Sequence, residues 1–186
     1  FLVAGEQTTL DGTRSWSAGG DIRSYEWTLH DGTKRQGAKV PVTYAEAGVW
    51  CETLKVTGAR GRVGYDFAYV VVLDAEDLSH YPANVNINFY PTRGIRPGDE
   101  VTFKARAFRM KGGQEQWDFG DGSPPGTTRS PEDSKPHAPD GYAAITHRYA
   151  RPGKYLVTVS RTHDNGQTAM ARLCVTVEGP NDTPSD

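Results

Sequence analysis

Methionine and cysteine are scarce in this 186-residue chain, with two of each, and no apolar run approaches the roughly 20 residues that a membrane helix requires. That predicts no membrane insertion. Charge of one sign is also missing in excess: 21 basic and 23 acidic side chains leave a formal net charge of -2, spread along the sequence. Without a cationic footprint, nucleic acid is excluded as an expected partner. Cys51 and Cys174 fall far apart in the chain and read as two unpaired thiols, because a bridge needs Cα atoms within about 7 Å. Helical periodicity is absent as well.

What the chain has in quantity is glycine, 21 residues, and proline, 12 residues, placed between short alternating segments. Val101–Ala107 and Tyr155–Val159 alternate apolar and polar residues, the period of a half-buried strand. One run occurs twice: Tyr25-Glu26-Trp27-Thr28-Leu29-His30-Asp31-Gly32, and Glu115-Gln116-Trp117-Asp118-Phe119-Gly120-Asp121-Gly122. Each copy is followed by a tyrosine, a glycine and a further strand, at Tyr44-Ala45-Glu46-Ala47-Gly48 and Tyr149-Ala150-Arg151-Pro152-Gly153. The chain therefore reads as a duplicated all-β module with seven or so strands per copy, Trp27 and Trp117 at the two core centres, and turns closed by Asp-Gly pairs.

In these residues the second copy resembles the PKD domain family: Trp117-Asp118-Phe119-Gly120-Asp121-Gly122, His147-Arg148-Tyr149, Pro152–Val159 and Asp164-Asn165-Gly166 carry the likeness. The first copy resembles it more weakly through Trp27, Asp31-Gly32, Tyr44, Gly48 and Leu54-Lys55-Val56-Thr57. The resemblance implies two tandem immunoglobulin-like sandwiches, secreted or at the cell surface, with no catalytic or cofactor-binding residues of their own. It also implies an accessory place beside an upstream domain of a larger secreted, polysaccharide- or protein-degrading protein. Expected boundaries are 1–76 and 83–179, followed by a flexible tail at 180–186. A chain that starts on Phe1, without Met or a signal-like segment, reads as a fragment of a longer polypeptide. Only Phe1–Ala4 precede Gly5, so the first copy is expected to lack most of its first strand, and another segment or domain to cover that edge.

Candidate contacts are aromatic. Aligning Gly61 with Gly166 makes Ala68, Val70 and Val72 the core-facing set of the last strand of the first copy, and turns Tyr65, Phe67 and Tyr69 outward. That strip could pack on a partner domain, stack on sugar rings with Trp16 and Tyr142 adding contacts, or become ordinary core after a one-residue slip. A binding module for polysaccharide and a cell-surface adhesion stalk are the alternatives to an accessory spacer. The second copy has 26 residues between Gly122 and Tyr149 where the first has 11 between Gly32 and Tyr44, and residues 123–142 are read as an inserted loop without a core. Glu52 shares the parity of Trp50 and Leu54, so either Arg14 reaches it or a bulge turns Cys51 inward, the bulge being the cheaper solution.

Asp118 and Asp121 are expected to satisfy backbone N–H groups of their turn and not to act as a catalytic pair. His137, His147 and His163 lack the close spacing of a zinc site. Some relatives in the resembled family bind calcium in loops that here retain only Asp21 and Asp164, too few carboxylates for a usual calcium site.

Overall fold

The structure is a computed structural model that describes residues 1–17, 20–132 and 141–180. It divides into two compact units, Phe1–Pro82 and Ala83–Asp186. Unit 1 holds β1 (Leu2–Val3), β2 (Gln7–Asp11), β3 (Ile22–Thr28), β4 (Lys34–Gln36), β5 (Lys39–Thr43), β6 (Gly48–Gly58) and β7 (Val63–Leu73). Unit 2 holds β8 (Asn84–Tyr90), β9 (Glu100–Phe108), β10 (Glu115–Asp118), β11 (Gly126–Thr128), β12 (Ala143–Arg148), β13 (Gly153–Thr162) and β14 (Thr168–Val177). No α-helix occurs among the described residues.

Unit 1 is a sandwich of a β1-β7-β6-β3-β4 sheet, in which β1 runs parallel to β7, on a two-stranded β2-β5 sheet. Unit 2 pairs a β14-β13-β10-β11 sheet with a β12-β9-β8 sheet. In both, period-two alternation sends every second side chain between the sheets. Leu10, Trp27, Val40, Val42 and Leu54 fill the first core. Val85, Phe103, Trp117, Val157 and Val175 are among the residues that fill the second. Trp27 is 3% exposed and Trp117 0%.

The one-residue slip considered for β7 does not occur. Ala68, Val70 and Val72 pack into the unit 1 core, leaving Tyr65, Phe67 and Tyr69 with the opposite parity. The bulge expected at Glu52 is absent. The β6-β7 ladder runs unbroken from Gly48↔Val72 to Thr57↔Val63, so Glu52 faces inward with 0% exposure. Its answer is His30, whose Nδ1 lies 2.9 Å from Glu52 Oε1, and Arg14 remains exposed. The His30 ring in turn stacks on Trp50, centroids 4.3 Å apart.

Residues 123–142 are also less of a loop than the sequence suggested. Gly126–Thr128 form β11 and pair with β10, the counterpart of β4 against β3 in unit 1. Ser130 is fully buried, so the first part of the insertion is sheet and core. His137 and residues 133–140 lie outside the described residues, as do residues 181–186 of the expected tail.

Candidate functional site

The repeated motif concentrates at the Asp-Gly turns. In unit 2, Gly120 N–H donates to Asp118 Oδ1 at 2.8 Å, and Ser123 N–H to Asp121 Oδ1 at 3.0 Å. His147 Nε2 stands 2.7 Å from Asp121 Oδ2, while its ring lies flat on Phe119, centroids 4.1 Å apart. Burial works against the charge on Asp121, but Ser123 and His147 outweigh it and hold the carboxyl below the ordinary range. In unit 1, Thr33 N–H donates to Asp31 Oδ1 at 2.8 Å, and that bond is the main reason Asp31 also titrates low. The Tyr149 hydroxyl donates to Phe119 O at 3.2 Å, tying the chain just beyond β12 to the turn.

Gly120 shows how tightly this turn is drawn. Its φ is +76°, and a Cβ there would stand 2.4 Å from Leu156 O, a backbone atom that cannot swing aside. Gly120→Ala is expected to cost roughly 1–3 kcal/mol from the left-handed backbone alone, with the clash adding to it, and a lowered melting temperature of unit 2 checks this. By contrast Gly122, with φ +79°, and Gly32, with φ +84°, face open space and are required only by their backbone angle.

A network that the sequence reading passed over lies at the other end of β10. Glu115 and Arg161 are 0% and 1% exposed. Arg161 Nη1 lies 2.8 Å from Glu115 Oε1, and its Nε and Nη2 donate to Gly112 O at 3.0 and 2.8 Å. Ser130 donates through both N–H and hydroxyl to Glu115, and the Thr128 hydroxyl donates to Glu115 Oε2 at 2.8 Å. Burial would raise the glutamate, but the donors from Ser130, Thr128 and Arg161 reverse that and hold it low. A signal was present: Glu115 has the parity of Trp117, and Arg161 that of Val157 and Val159, so two opposite charges are aimed at one core. The network pins the inserted segment to the sheet and offers no group to a substrate.

An open concavity belongs to unit 1. A cleft of about 500 Å³ runs beside Trp27, Leu54, Val56 and Ala68, with Arg14 and Asp66 at its polar margins. It brings together three of the aromatic candidates. Trp16, 80% exposed, stands in its rim together with Tyr65 and Phe67. Tyr69, 50% exposed, is two residues further along β7 and does not line it. Tyr142 belongs to unit 2, where its ring receives the Arg106 guanidinium, 5.5 Å from the ring centroid. Among the described residues, no group of three or more His, Cys, Asp or Glu side chains converges as metal ligands. Asp21 is exposed, and His163 Nδ1 accepts from Asn165 N–H. Cys51 and Cys174 form no disulfide.

Residues 86–175 match a family described as PKD domain, and residues 2–72 match a second family of the same description. Over 73 residues the chain is 30% identical to collagenase ColA of Clostridium perfringens (strain 13 / Type A), an alignment spanning 39% of this chain and 7% of that protein. Among solved structures, the fibronectin(III)-like modules of Clostridium thermocellum CbhA align over 95% of this chain and 88% of theirs, at 14% identity and a TM-score of 0.36. A structure of carbohydrate-binding modules from the β-sandwich superfamily aligns over 97% of this chain and 82% of its own, at 15% identity and a TM-score of 0.38.

Proposed function

Because the chain belongs to the PKD domain family in both of its halves, we propose that it is a non-catalytic accessory tandem of a larger secreted, polysaccharide-degrading protein, where it spaces and packs against an upstream domain. The observation that carries this reading is that the buried carboxylates face basic partners and the motif aspartates hold their own turn. Glu52 answers His30, Glu115 answers Arg161, and Asp118 and Asp121 hold the backbone of their own turn. Acid-base hydrolysis needs two carboxyl groups facing each other across a substrate space. The unit 1 cleft offers an apolar floor with Asp11, Arg14 and Asp66 at its margins, where Asp11 is taken up by Thr13 and Lys39 and Asp66 Oδ1 accepts from Phe67 N–H. A relative in local sequence is named as a collagenase, which fits an accessory role beside a degradative enzyme without assigning a substrate.

A second reading has its own support. An indole that is 80% exposed, at the rim of a cleft with polar margins, is the kind of surface on which sugar rings stack. One experiment weighs both: the purified chain is incubated with a panel of soluble and insoluble polysaccharides, and retention and released reducing ends are measured. The accessory reading expects no release, and turnover by the chain alone would overturn it. Retention that falls at least about tenfold in a folded Trp16→Ala variant, a loss of about 1.4 kcal/mol, would establish the carbohydrate reading. Retention by the wild type that persists in Trp16→Ala and disappears in Tyr65→Ala/Phe67→Ala/Tyr69→Ala would move the contact to the β7 strip.

A further inference from the structure

The β12-β9-β8 sheet of unit 2 turns only one face to the core. Val85, Ile87 and Phe89 of β8 and Val101, Phe103 and Ala105 of β9 point inward, so residues of the opposite parity form an outer face. The register sets Tyr90 beside Thr102 and Thr146, and Asn88 beside Lys104 and Ala144. One step further along β8, Asn86 stands beside Arg106. Asn86, Asn88, Lys104, Ala144 and Thr146 are all exposed, and Tyr90 is 76% exposed.

Aromatic rings mark two opposite corners of this face. Tyr142 precedes Thr146 by four residues, and Thr146 lies two strands away from Tyr90, which separates the tyrosines by about 10 Å across the strands and about 13 Å along them. Between them the side chains of Thr102, Thr146 and Ala144 are short, so the floor is lower than its corners. Tyr142 is held from beneath: the Arg106 guanidinium, 1% exposed, lies 5.5 Å from its ring centroid and 5.0 Å from that of Phe108. That contact orders the ring before any ligand arrives. The charged side chains of the face are Glu100, Lys104, Arg106 and Arg148, three cations to one carboxylate. Arg148 takes up Glu100 at 2.9 Å, whereas Lys104, among the described residues, pairs with no carboxylate.

We propose that this face of unit 2 binds one strand of an acidic polysaccharide that carries uronate groups. Tyr90 and Tyr142 stack on sugar rings, the Asn86 and Asn88 carboxamides meet hydroxyls as both donors and acceptors, and Lys104 meets a carboxylate. The layout suits a glycan better than a protein, because the centre of a protein interface is apolar and poor in lysine, whereas here lysine and asparagine lie inside and the rings at the corners. The local excess of cation stands on a chain whose formal net charge is -2, so a polyanion has no general reason to adhere elsewhere. The proposal rests on the accessory reading, names the class of polymer, and uses none of the residues that line the Trp16 cleft.

The test is affinity electrophoresis of the full chain in gels containing polygalacturonate or alginate. At least one of the two is expected to retard the wild type, and to do so at least about fivefold more strongly than its own methyl-esterified form. Tyr90→Ala is expected to weaken retardation at least about tenfold, and Lys104→Gln to bring the acid and the ester within about twofold of each other. Both side chains are exposed, so an unchanged melting temperature certifies the fold of each variant. Trp16→Ala is expected to keep the wild-type retardation, and poly-glutamate, which has the charge without the rings, to give none. No retardation by either polymer, equal retardation by acid and ester in the wild type, survival of binding in Tyr90→Ala, its loss in Trp16→Ala, or equal binding of poly-glutamate would each overturn the proposal. The accessory reading fails only if the chain itself releases reducing ends, so the two failures are told apart.

Discussion

Replacing Arg161 by methionine is expected to destabilise unit 2 by about 3–5 kcal/mol, because it strands the Glu115 carboxylate in the core with its charged donor gone. The same substitution releases Gly112 O and Ser130, which Arg161 holds at 2.8 and 3.1 Å, so the segment that follows β11 should open with it. Denaturant melts at pH 7 measure the first effect, and amide exchange around Ser130 the second. The double variant Glu115→Leu/Arg161→Met is expected to recover most of the loss, since removing both charges leaves no uncompensated ion. A double variant as unstable as the single one would show that packing of the guanidinium, and not charge compensation, is what Arg161 supplies.

The pair also sets a pH dependence whose sign is determined. Glu115 titrates below its ordinary value of 4.5 in the folded chain. A carboxylate lowered on folding contributes its full stability above that ordinary value and loses it as pH falls through the folded value. Wild-type unit 2 should therefore lose stability below about pH 4.5 more steeply than Glu115→Leu/Arg161→Met does.

Trp117→Ala carries the other large effect, about 3–5 kcal/mol, through lost burial and the cavity left behind. Its ring touches the aromatic cluster of Phe103 and Phe119, centroids 5.8 and 6.3 Å away, and its Nε1–H donates to Thr128 Oγ1 at 2.9 Å. The aligned Trp27 makes a contrasting case. Its Nε1 is buried without a hydrogen-bond partner, and its ring borders the open cleft. Trp27→Phe should therefore cost clearly less than Trp117→Phe, because it deletes a donor that is already unpaired. Equal losses from the two would mean that the hydrogen bond to Thr128 contributes little.

These contrasts mark how far the primary structure could be read. Period-two alternation and the repeated Trp-to-Gly run are local properties, so strands such as β8 and β13 and both core tryptophans were legible from residue order. Glu52 was not resolved in that way. Its inward parity was visible, but whether a bulge or a partner answered the charge depended on His30, 22 residues away, being brought within 2.9 Å. The insertion in unit 2 was misjudged for a similar reason. Nothing between Pro124 and Ser130 looks like a strand by pattern, and β11 exists because β10 offers it a ladder and Glu115 takes up Ser130.

For the candidate surface the division is sharper. Residue order by itself determined that two PKD-like sandwiches follow one another and that Tyr65, Phe67 and Tyr69 share one parity on β7. Only the tertiary structure decided that a cleft lies beside Leu54 and Val56, that Trp16 stands at its rim, and that Tyr142 stacks on Arg106 instead. The reason is physical: parity along a strand is set by the chain's own covalent geometry, whereas a concavity exists only between elements that long-range packing has brought together.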